Sequence, residues 1–240
     1  MGEYDYSRSH VDKGDKYNLR FKSPPLNLMW EQEKNILANL IFRYQPTKIL
    51  DLACGTGRVS NFMADTSSLA QVTGVDISAS MLNVASKHSQ CKVKYIQSDI
   101  SNLNLVKKKK PHDLITCFRF FTNAQEDLRV EMIKCAARHA VPDTVLVLNN
   151  HQNIDSYPLK LQNFRKREKH GVQNTGIKNL VRDFGFKFIE SYSIGVSPQD
   201  ELKFLLNTKL SEKIEAFNSR FLSKHHQFGI NQIMIFRMNS

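Results

Sequence analysis

The residues best placed to do chemistry lie in one short run, Ile49-Leu50-Asp51-Leu52-Ala53-Cys54-Gly55-Thr56-Gly57-Arg58. The pattern reads as a buried strand, a glycine turn and then a helix. Gly55 and Gly57 let the backbone turn tightly and approach a ligand where a Cβ would collide. The helix beyond offers unpaired N–H groups at its start. A dinucleotide site would complete G-x-G-x-x-G and seat a pyrophosphate on that helix end. Here Ser60 stands in the third glycine position, and Asp51 precedes the turn. A carboxylate there repels a pyrophosphate and suits a ligand with positive charge.

Two further acids extend the pattern. In Val72-Thr73-Gly74-Val75-Asp76-Ile77-Ser78, Asp76 ends the next strand. It lies about 20 residues past the turn, where an acid accepts hydrogen bonds from ribose hydroxyls. Ile77 would flank an adenine. In Gln97-Ser98-Asp99-Ile100, Asp99 could accept from the adenine amino group, and Ile100 could offer its backbone N–H. A nucleoside with a cationic tail, such as a sulfonium bearing an α-amino group, suits all three positions. In open α/β sheets such ligands bind at the strand carboxyl ends near the topological switch point.

Asp51-Leu52-Ala53-Cys54-Gly55-Thr56-Gly57 resembles motif I of class I S-adenosylmethionine (SAM)-dependent methyltransferases, D/E-x-G-x-G-x-G, with Ala53 in place of its first glycine. Asp76 and Asp99 match the acidic positions of motifs II and III. His112-Asp113-Leu114-Ile115-Thr116-Cys117-Phe118 resembles motif IV, which passes the methionyl end of SAM. The resemblance spans roughly Thr47 to Asn150 and is of the small-molecule and glycan-modifying type. It implies SAM as cofactor and S-adenosylhomocysteine as product. The implied cofactor residues are Asp51, Ala53, Gly55, Thr56, Gly57, Arg58, Asp76, Ile77, Met81, Asp99, Ile100, Cys117 and Phe118. In this family an N-terminal aromatic–basic pair often closes over SAM. Tyr17 and Arg20 resemble that pair, with Arg20 set to bind the SAM carboxylate.

Methyl transfer needs an aligned acceptor and, for a hydroxyl, a base. No Asn-Pro-Pro-Tyr-type sequence follows the fourth strand; Phe118-Arg119-Phe120-Phe121-Thr122-Asn123 stands there instead, which argues against base N-methylation. Phe120 and Phe121 are either walls of the methyl channel or core aromatics. Arg119 holds an anionic substrate group or a surface carboxylate. His151, in Asn149-Asn150-His151-Gln152-Asn153, has the pKa range of a general base and is the catalytic and substrate-side candidate. His112 begins its strand at the wrong end of the sheet. No metal site is expected.

The elements that must position these groups alternate as strand and helix, which argues for a mostly parallel sheet covered by helices. Strands are expected at Lys48–Ala53, Gln71–Asp76, Val93–Gln97, Asp113–Phe118, Thr144–Asn149, Phe186–Ile194 and Ile230–Phe236. Helices are expected at Leu26–Tyr44, Gly57–Ala64, after a Ser78 cap, at Glu126–His139 and at Gln173–Phe184, the last stopped by Gly185. His151 to Val172 reads as a polar, basic excursion over the sheet edge. The resemblance implies a Rossmann-like seven-stranded mixed sheet, helices on both faces, and an antiparallel last strand. Residues 1–45 would form an arm and helix closing over the cofactor. Residues 46–240 would form the SAM-binding domain, with helical cap insertions at 151–172 and 198–226.

The 240 residues are 41% hydrophobic and 24% charged, which suits an ordinary globular protein. No apolar run approaches the ~20 residues that cross a bilayer, and the N-terminus lacks a signal peptide's basic and apolar regions. Cys54, Cys91, Cys117 and Cys135 are widely spaced and read as reduced thiols, so a cytoplasmic location is expected. The net charge of +11 attracts polyanions without choosing among them. Lys107 to Lys110 is the densest patch and reads as a solvated turn. The expected partner is a small-molecule or glycan-precursor acceptor, able to carry negative charge, for O-methylation. RNA stands second, a non-catalytic SAM-binding subunit third, and a homodimer is compatible with either. The stripe from Asp200 to Leu222, which includes Phe217 and Phe221, reads as packing on the sheet or on a second copy, with contact to an anionic membrane as the alternative.

Overall fold

A computed structural model describes residues 24–89, 92–105, 112–166, 171–195, 213 and 228–240. Tyr17 and Arg20, the Lys107 to Lys110 patch, and the 198–226 insertion apart from Lys213 lie outside the described residues. The chain runs α1 (Pro24–Tyr44), β1 (Lys48–Leu52), α2 (Arg58–Thr66), β2 (Gln71–Asp76), α3 (Ala79–His88), β3 (Val93–Gln97) and β4 (Leu114–Cys117). It continues through α4 (Glu126–His139), β5 (Val145–Asn150), α5 (Tyr157–Lys166), α6 (Asn174–Asp183), β6 (Phe186–Ile194) and β7 (Asn231–Met238).

The strands form one sheet in the order β3-β2-β1-β4-β5-β7-β6. β1 to β5 pair in parallel, and β7 lies antiparallel between β5 and β6. This is the expected mixed sheet with an antiparallel last strand. The order reverses at β1, which leads to β2 on one side and pairs with β4 on the other. The carboxyl ends of β1 and β4 therefore meet at the switch point where α/β sheets bind ligands.

Alternation along the strands builds a core on each face. Leu50, Leu52, Ile115, Leu146, Leu148 and Phe236 pack with Met132, Ile133 and Ala136 of α4 and with Ile177 and Val181 of α6. Ile49, Val72, Leu114, Val145, Val147 and Ile235 pack against Leu37 and Leu40 of α1 and against Val59 and Met63 of α2. Period-two burial in the strands and period-3.6 burial in the helices produce this layering. The buried face of α1 carries Met29, Glu33, Leu37, Leu40 and Ile41, so one carboxylate sits in its apolar stripe.

Sequence and structure differ in several elements. β1 ends at Leu52 because Ala53 adopts φ 53, the left-handed region that breaks extended pairing. β4 starts at Leu114 because the Asp113 carboxylate accepts from the Thr47 N–H, the Thr47 hydroxyl and the Lys48 N–H. β5 and β7 are each displaced by one or two residues, to Val145–Asn150 and Asn231–Met238. Within the 151–172 excursion the chain forms α5, a helix whose bounds were not expected individually. Ser156 caps it, its hydroxyl accepting from the Leu159 N–H, and Pro158 is tolerated in the first turn. Leu159 is buried while Tyr157, Lys160 and Phe164 are exposed, so the apolar periodicity that announces a helix is weak here.

At the amino end of β4, His112 and His139 stack edge-on with ring centroids 6.0 Å apart. The His139 Nε2 accepts from the Leu105 N–H and its Nδ1 faces the Cys135 carbonyl, which fixes a neutral ring with the proton on Nδ1. Burial, then the neighbouring His139, pushes His112 down to about 4 from its usual 6.5. A depressed histidine contributes stability that is fully present above 6.5 and lost as pH falls through about 4. Unfolding free energy should fall by about 2 kcal/mol across that window, allowing for partial solvent screening. Urea unfolding at pH 7 and pH 5 checks this. A His112→Gln variant should flatten the difference, and an unchanged slope would contradict the assignment.

Candidate functional site

The glycine turn is built from positive-φ residues: Ala53 at φ 53, Gly55 at φ 56 and Gly57 at φ 73. A Cβ on Gly55 would meet nothing within 4 Å, so that side of the turn is open. Gly57 is different. A Cβ there would lie 2.2 Å from the Tyr95 hydroxyl and 2.7 Å from the Ala85 Cβ, and Gly74 packs on the same ring. The Tyr95 ring thus leaves no room for a side chain at Gly57, which does not line the pocket beside the turn. Gly57 is also the N-cap of α2 and supplies no side-chain cap. The helix start therefore presents its N–H groups to whatever the turn encloses.

The pocket lies over the carboxyl ends of β1 to β4 and opens to solvent. Asp51, Ala53, Cys54, Gly55, Thr56 and Arg58 line it from the turn. Asp76, Ile77 and Met81 line it from β2 and α3, and Ser98, Asp99 and Ile100 from the loop after β3. Phe118, Arg119 and Phe120 come from the loop after β4, with Val59 and Leu128 completing the wall.

Asp51 is 1% exposed. Its Oδ2 accepts from the Ser60 hydroxyl at 2.5 Å and its Oδ1 from the Thr116 hydroxyl at 2.7 Å. Ser60 thus replaces the third glycine of a dinucleotide turn with a donor to Asp51. Burial raises Asp51 to about 6 from 3.8, against the lowering pull of the two hydroxyls and Arg58. The Asp76 Oδ2 accepts the Gly55 N–H at 2.7 Å and its Oδ1 accepts the Ser78 N–H at 2.9 Å. Those amides pin the carboxylate at the end of β2, and the Ser78 hydroxyl caps α3 as expected. The Asp99 Oδ1 accepts from the Ser101 N–H, and Arg138 holds the same loop through the carbonyls of Ile100 and Ser101. Burial, then Asp51 and Asp76, pushes the Cys54 thiol up, so it stays protonated and behaves as a small apolar wall.

Not every expected site residue reaches the pocket. Cys117 is fully buried in the β4 core and does not line it. Phe121 is also fully buried and packs edge-on against Phe120, so of the two aromatics Phe120 alone faces the pocket. His151 follows β5 half-buried and is not among the lining residues. Arg119 is buried, and its partner is the buried Glu33 rather than a surface carboxylate. The sequence reading missed Glu33 and the wall residues Cys54, Val59, Ser98 and Leu128. The signal for Glu33 was present: it falls on the 29/33/37/41 stripe of α1, where an unpaired carboxylate cannot stay.

Sheet order and glycine turn give a Rossmann-like fold of the class I methyltransferase type, with three acids aligned along one pocket. Residues 49–143 match the methyltransferase domain family. That class uses SAM. The chain is 33% identical over 130 residues to N-demethylindolmycin N-methyltransferase of Streptomyces griseus, covering 53% of this chain and 54% of that protein. It is 37% identical over 127 residues to a ubiquinone biosynthesis O-methyltransferase of Coxiella burnetii, covering 51% of each. The chain thus spans about half the length of the curated relatives it matches. A SAM-bound crystal structure of magnesium protoporphyrin IX methyltransferase from Synechocystis superposes with a TM-score of 0.64 at 14% identity, covering 100% of both chains, which shows the shared fold. Among the described residues no helix is long and apolar enough to cross a membrane.

Proposed function

We propose that this chain is a SAM-dependent methyltransferase acting on a small-molecule or sugar acceptor, most simply at oxygen. One observation carries the reading: Asp51, Asp76 and Asp99 converge with an open, uncapped glycine turn in a single pocket. The residues fit the cofactor. Gly55 leaves space where a side chain would intrude, and Asp76 is held with its carboxylate at the β2 edge. In this reading Asp99, Ile100 and Ile77 hold the adenine, Asp76 holds the ribose, and Ala53, Thr56 and Met81 flank the ligand. Bound SAM supplies an electrophilic methyl whose leaving group is neutral. The protein therefore needs only to orient the acceptor, exclude water and take a proton. Phe120 walls the acceptor side, and His151, which lies outside the pocket wall, is the group that would have to reach the acceptor to remove its proton.

The names of the relatives favour small acceptors over RNA, since they describe enzymes of indolmycin and ubiquinone chemistry. The cap insertions at 151–172 and 198–226, the N-terminal arm with Tyr17 and Arg20, and any homodimer belong to this proposal. Transfer of labelled methyl from SAM to a panel of phenols, amines and sugars tests it. Incorporation into a small acceptor is expected. Incorporation into RNA, with salt-sensitive retention, would support RNA as acceptor instead, and tight SAM binding without turnover would mark a non-catalytic subunit.

Asp76→Ala removes the acceptor for two ribose hydroxyls and for the Gly55 N–H. SAM affinity should fall by about 30-fold or more, the loss expected for charge-assisted hydrogen bonds. Calorimetry on folded variant checks it, and a change within about threefold would refute the ribose assignment.

A further inference from the structure

Glu33 is the one fully buried carboxylate among the described residues whose partners are two arginines of the pocket wall. Its Oε2 accepts from the Arg58 Nη1 at 2.8 Å, and its Oε1 accepts from the Arg119 Nη2 at 3.3 Å. Asn231 also donates to Oε1, at 3.0 Å. The contacts close into a ring. The Arg119 N–H is donated to Asn149, the Asn149 amide donates to Asn231, and Asn231 returns to Glu33. Arg58 is further fixed by stacking, its guanidinium carbon 3.9 Å from the Trp30 ring centroid. Burial alone would raise the Glu33 carboxyl, but Arg58 and Arg119 overcome that and hold it below the usual range.

Four elements thus meet on one side chain: α1, the start of α2, the loop after β4, and β7. A buried acid between two cations is a costly arrangement, often no more stable than hydrophobic packing of the same volume. Arg119 itself sits at φ 56, a left-handed conformation that a bulky residue rarely adopts. Both arginines line the pocket, and Glu33 fixes the direction from which they do so.

Sheet order says which part of a ligand they meet. Along the carboxyl edge the lining groups run Asp99 after β3, Asp76 on β2, Asp51 on β1 and Ala53 just after it, then Phe118 and Arg119 after β4. With the nucleoside over β3 and β2, the amino-acid tail lies over β1 and β4. We propose that Glu33 is a positioning residue that holds Arg58 and Arg119 as a paired cation, so that together they take the carboxylate of that tail. This rests on the reading of the pocket as a SAM site. It also moves Arg119 from the acceptor side to the cofactor side, onto the carboxylate that the sequence alone assigns to Arg20. A guanidinium already oriented by a buried acid loses little freedom on binding a carboxylate, which is why the buttress matters to affinity.

Calorimetry with S-adenosylhomocysteine and its decarboxylated analogue tests this on the full chain. The two ligands share the adenosine, the thioether and the amine. The unmodified protein should bind the carboxylate-bearing ligand about 10- to 100-fold more tightly. Arg119→Gln and Glu33→Gln should each reduce that ratio to about threefold or less while leaving binding of the decarboxylated ligand nearly unchanged. A purely structural role for Glu33 would weaken both ligands alike. If Glu33→Gln does not fold, the ratio in the unmodified protein and in Arg119→Gln decides. Equal binding of the two ligands by the unmodified protein, or an unchanged ratio in Arg119→Gln, would overturn the inference and leave the SAM reading intact. Binding of neither ligand would overturn both.

Discussion

Asp51→Asn should make the protein more stable at pH 7 and weaken its hold on SAM. The Asp51 carboxyl is 1% exposed, and burial raises it to about 6 from an ordinary 3.8. A group raised on folding contributes stability that is present below its unfolded value and lost as pH rises through its folded value. At pH 7 the charged form therefore costs about 3 kcal/mol relative to a neutral one. Asparagine is neutral and nearly isosteric. It keeps one acceptor for the Ser60 or Thr116 hydroxyl, and the other hydroxyl must turn to accept from its amide. That rearrangement should reduce the gain to about 1–2 kcal/mol. The same change removes negative charge facing the cationic end of the ligand, so affinity for SAM should fall by about 10- to 100-fold. Urea unfolding from pH 4 to pH 8 checks the first half. His112 acts with the opposite sign over much of this window, so the informative curve is the variant minus the unmodified protein. That difference should rise as pH passes from 4 to 7, and a flat difference would show that Asp51 is not a strained charge.

Gly57→Ala carries the largest expected loss. Alanine at φ 73 costs about 1–2 kcal/mol in the left-handed region. Its Cβ would also stand 2.2 Å from the Tyr95 hydroxyl, 2.9 Å from the Tyr95 Cζ and 2.7 Å from the Ala85 Cβ. Overpacking of this kind adds about 1–3 kcal/mol. Tyr95 is held in place by its hydrogen bond to Asn61 at 2.7 Å, so the ring cannot swing away freely. A total of about 2–5 kcal/mol is a large share of a domain's stability. Thermal unfolding of Gly57→Ala checks it. Adding Tyr95→Phe removes the shortest contact and should recover part of the loss. A Gly57→Ala protein as stable as its parent would show that the turn is not packed on Tyr95.

The fold was legible where apolar periodicity was strong. α4 matches the expected Glu126–His139, and β2, β3 and β6 match their expected spans, because each alternates or repeats over a full element. α5 was not separately bounded, because its apolar positions do not repeat over a full element. Its Ser156-Tyr157-Pro158 start was the only available signal. The acids of the pocket were legible for a different reason: a carboxylate at a strand end, at fixed spacing from a glycine turn, has few other uses. What a single chain cannot display is which distant groups such residues meet. Asp51 and Thr116 are 65 positions apart, and Glu33 and Asn231 are 198 apart. The buried network behind the pocket is built wholly from such pairs, and the two glycines of the turn look alike in sequence although one faces open space and the other an aromatic ring.

The central claim is that this pocket takes a cationic adenosyl amino acid rather than a dinucleotide. Isothermal calorimetry of the unmodified chain with SAM, S-adenosylhomocysteine and NAD tests it most directly. Saturable heat at one site is expected with SAM and with S-adenosylhomocysteine, and none with NAD, whose pyrophosphate would meet Asp51 beside the turn. Heat with NAD, and none with either adenosyl amino acid, would contradict the account.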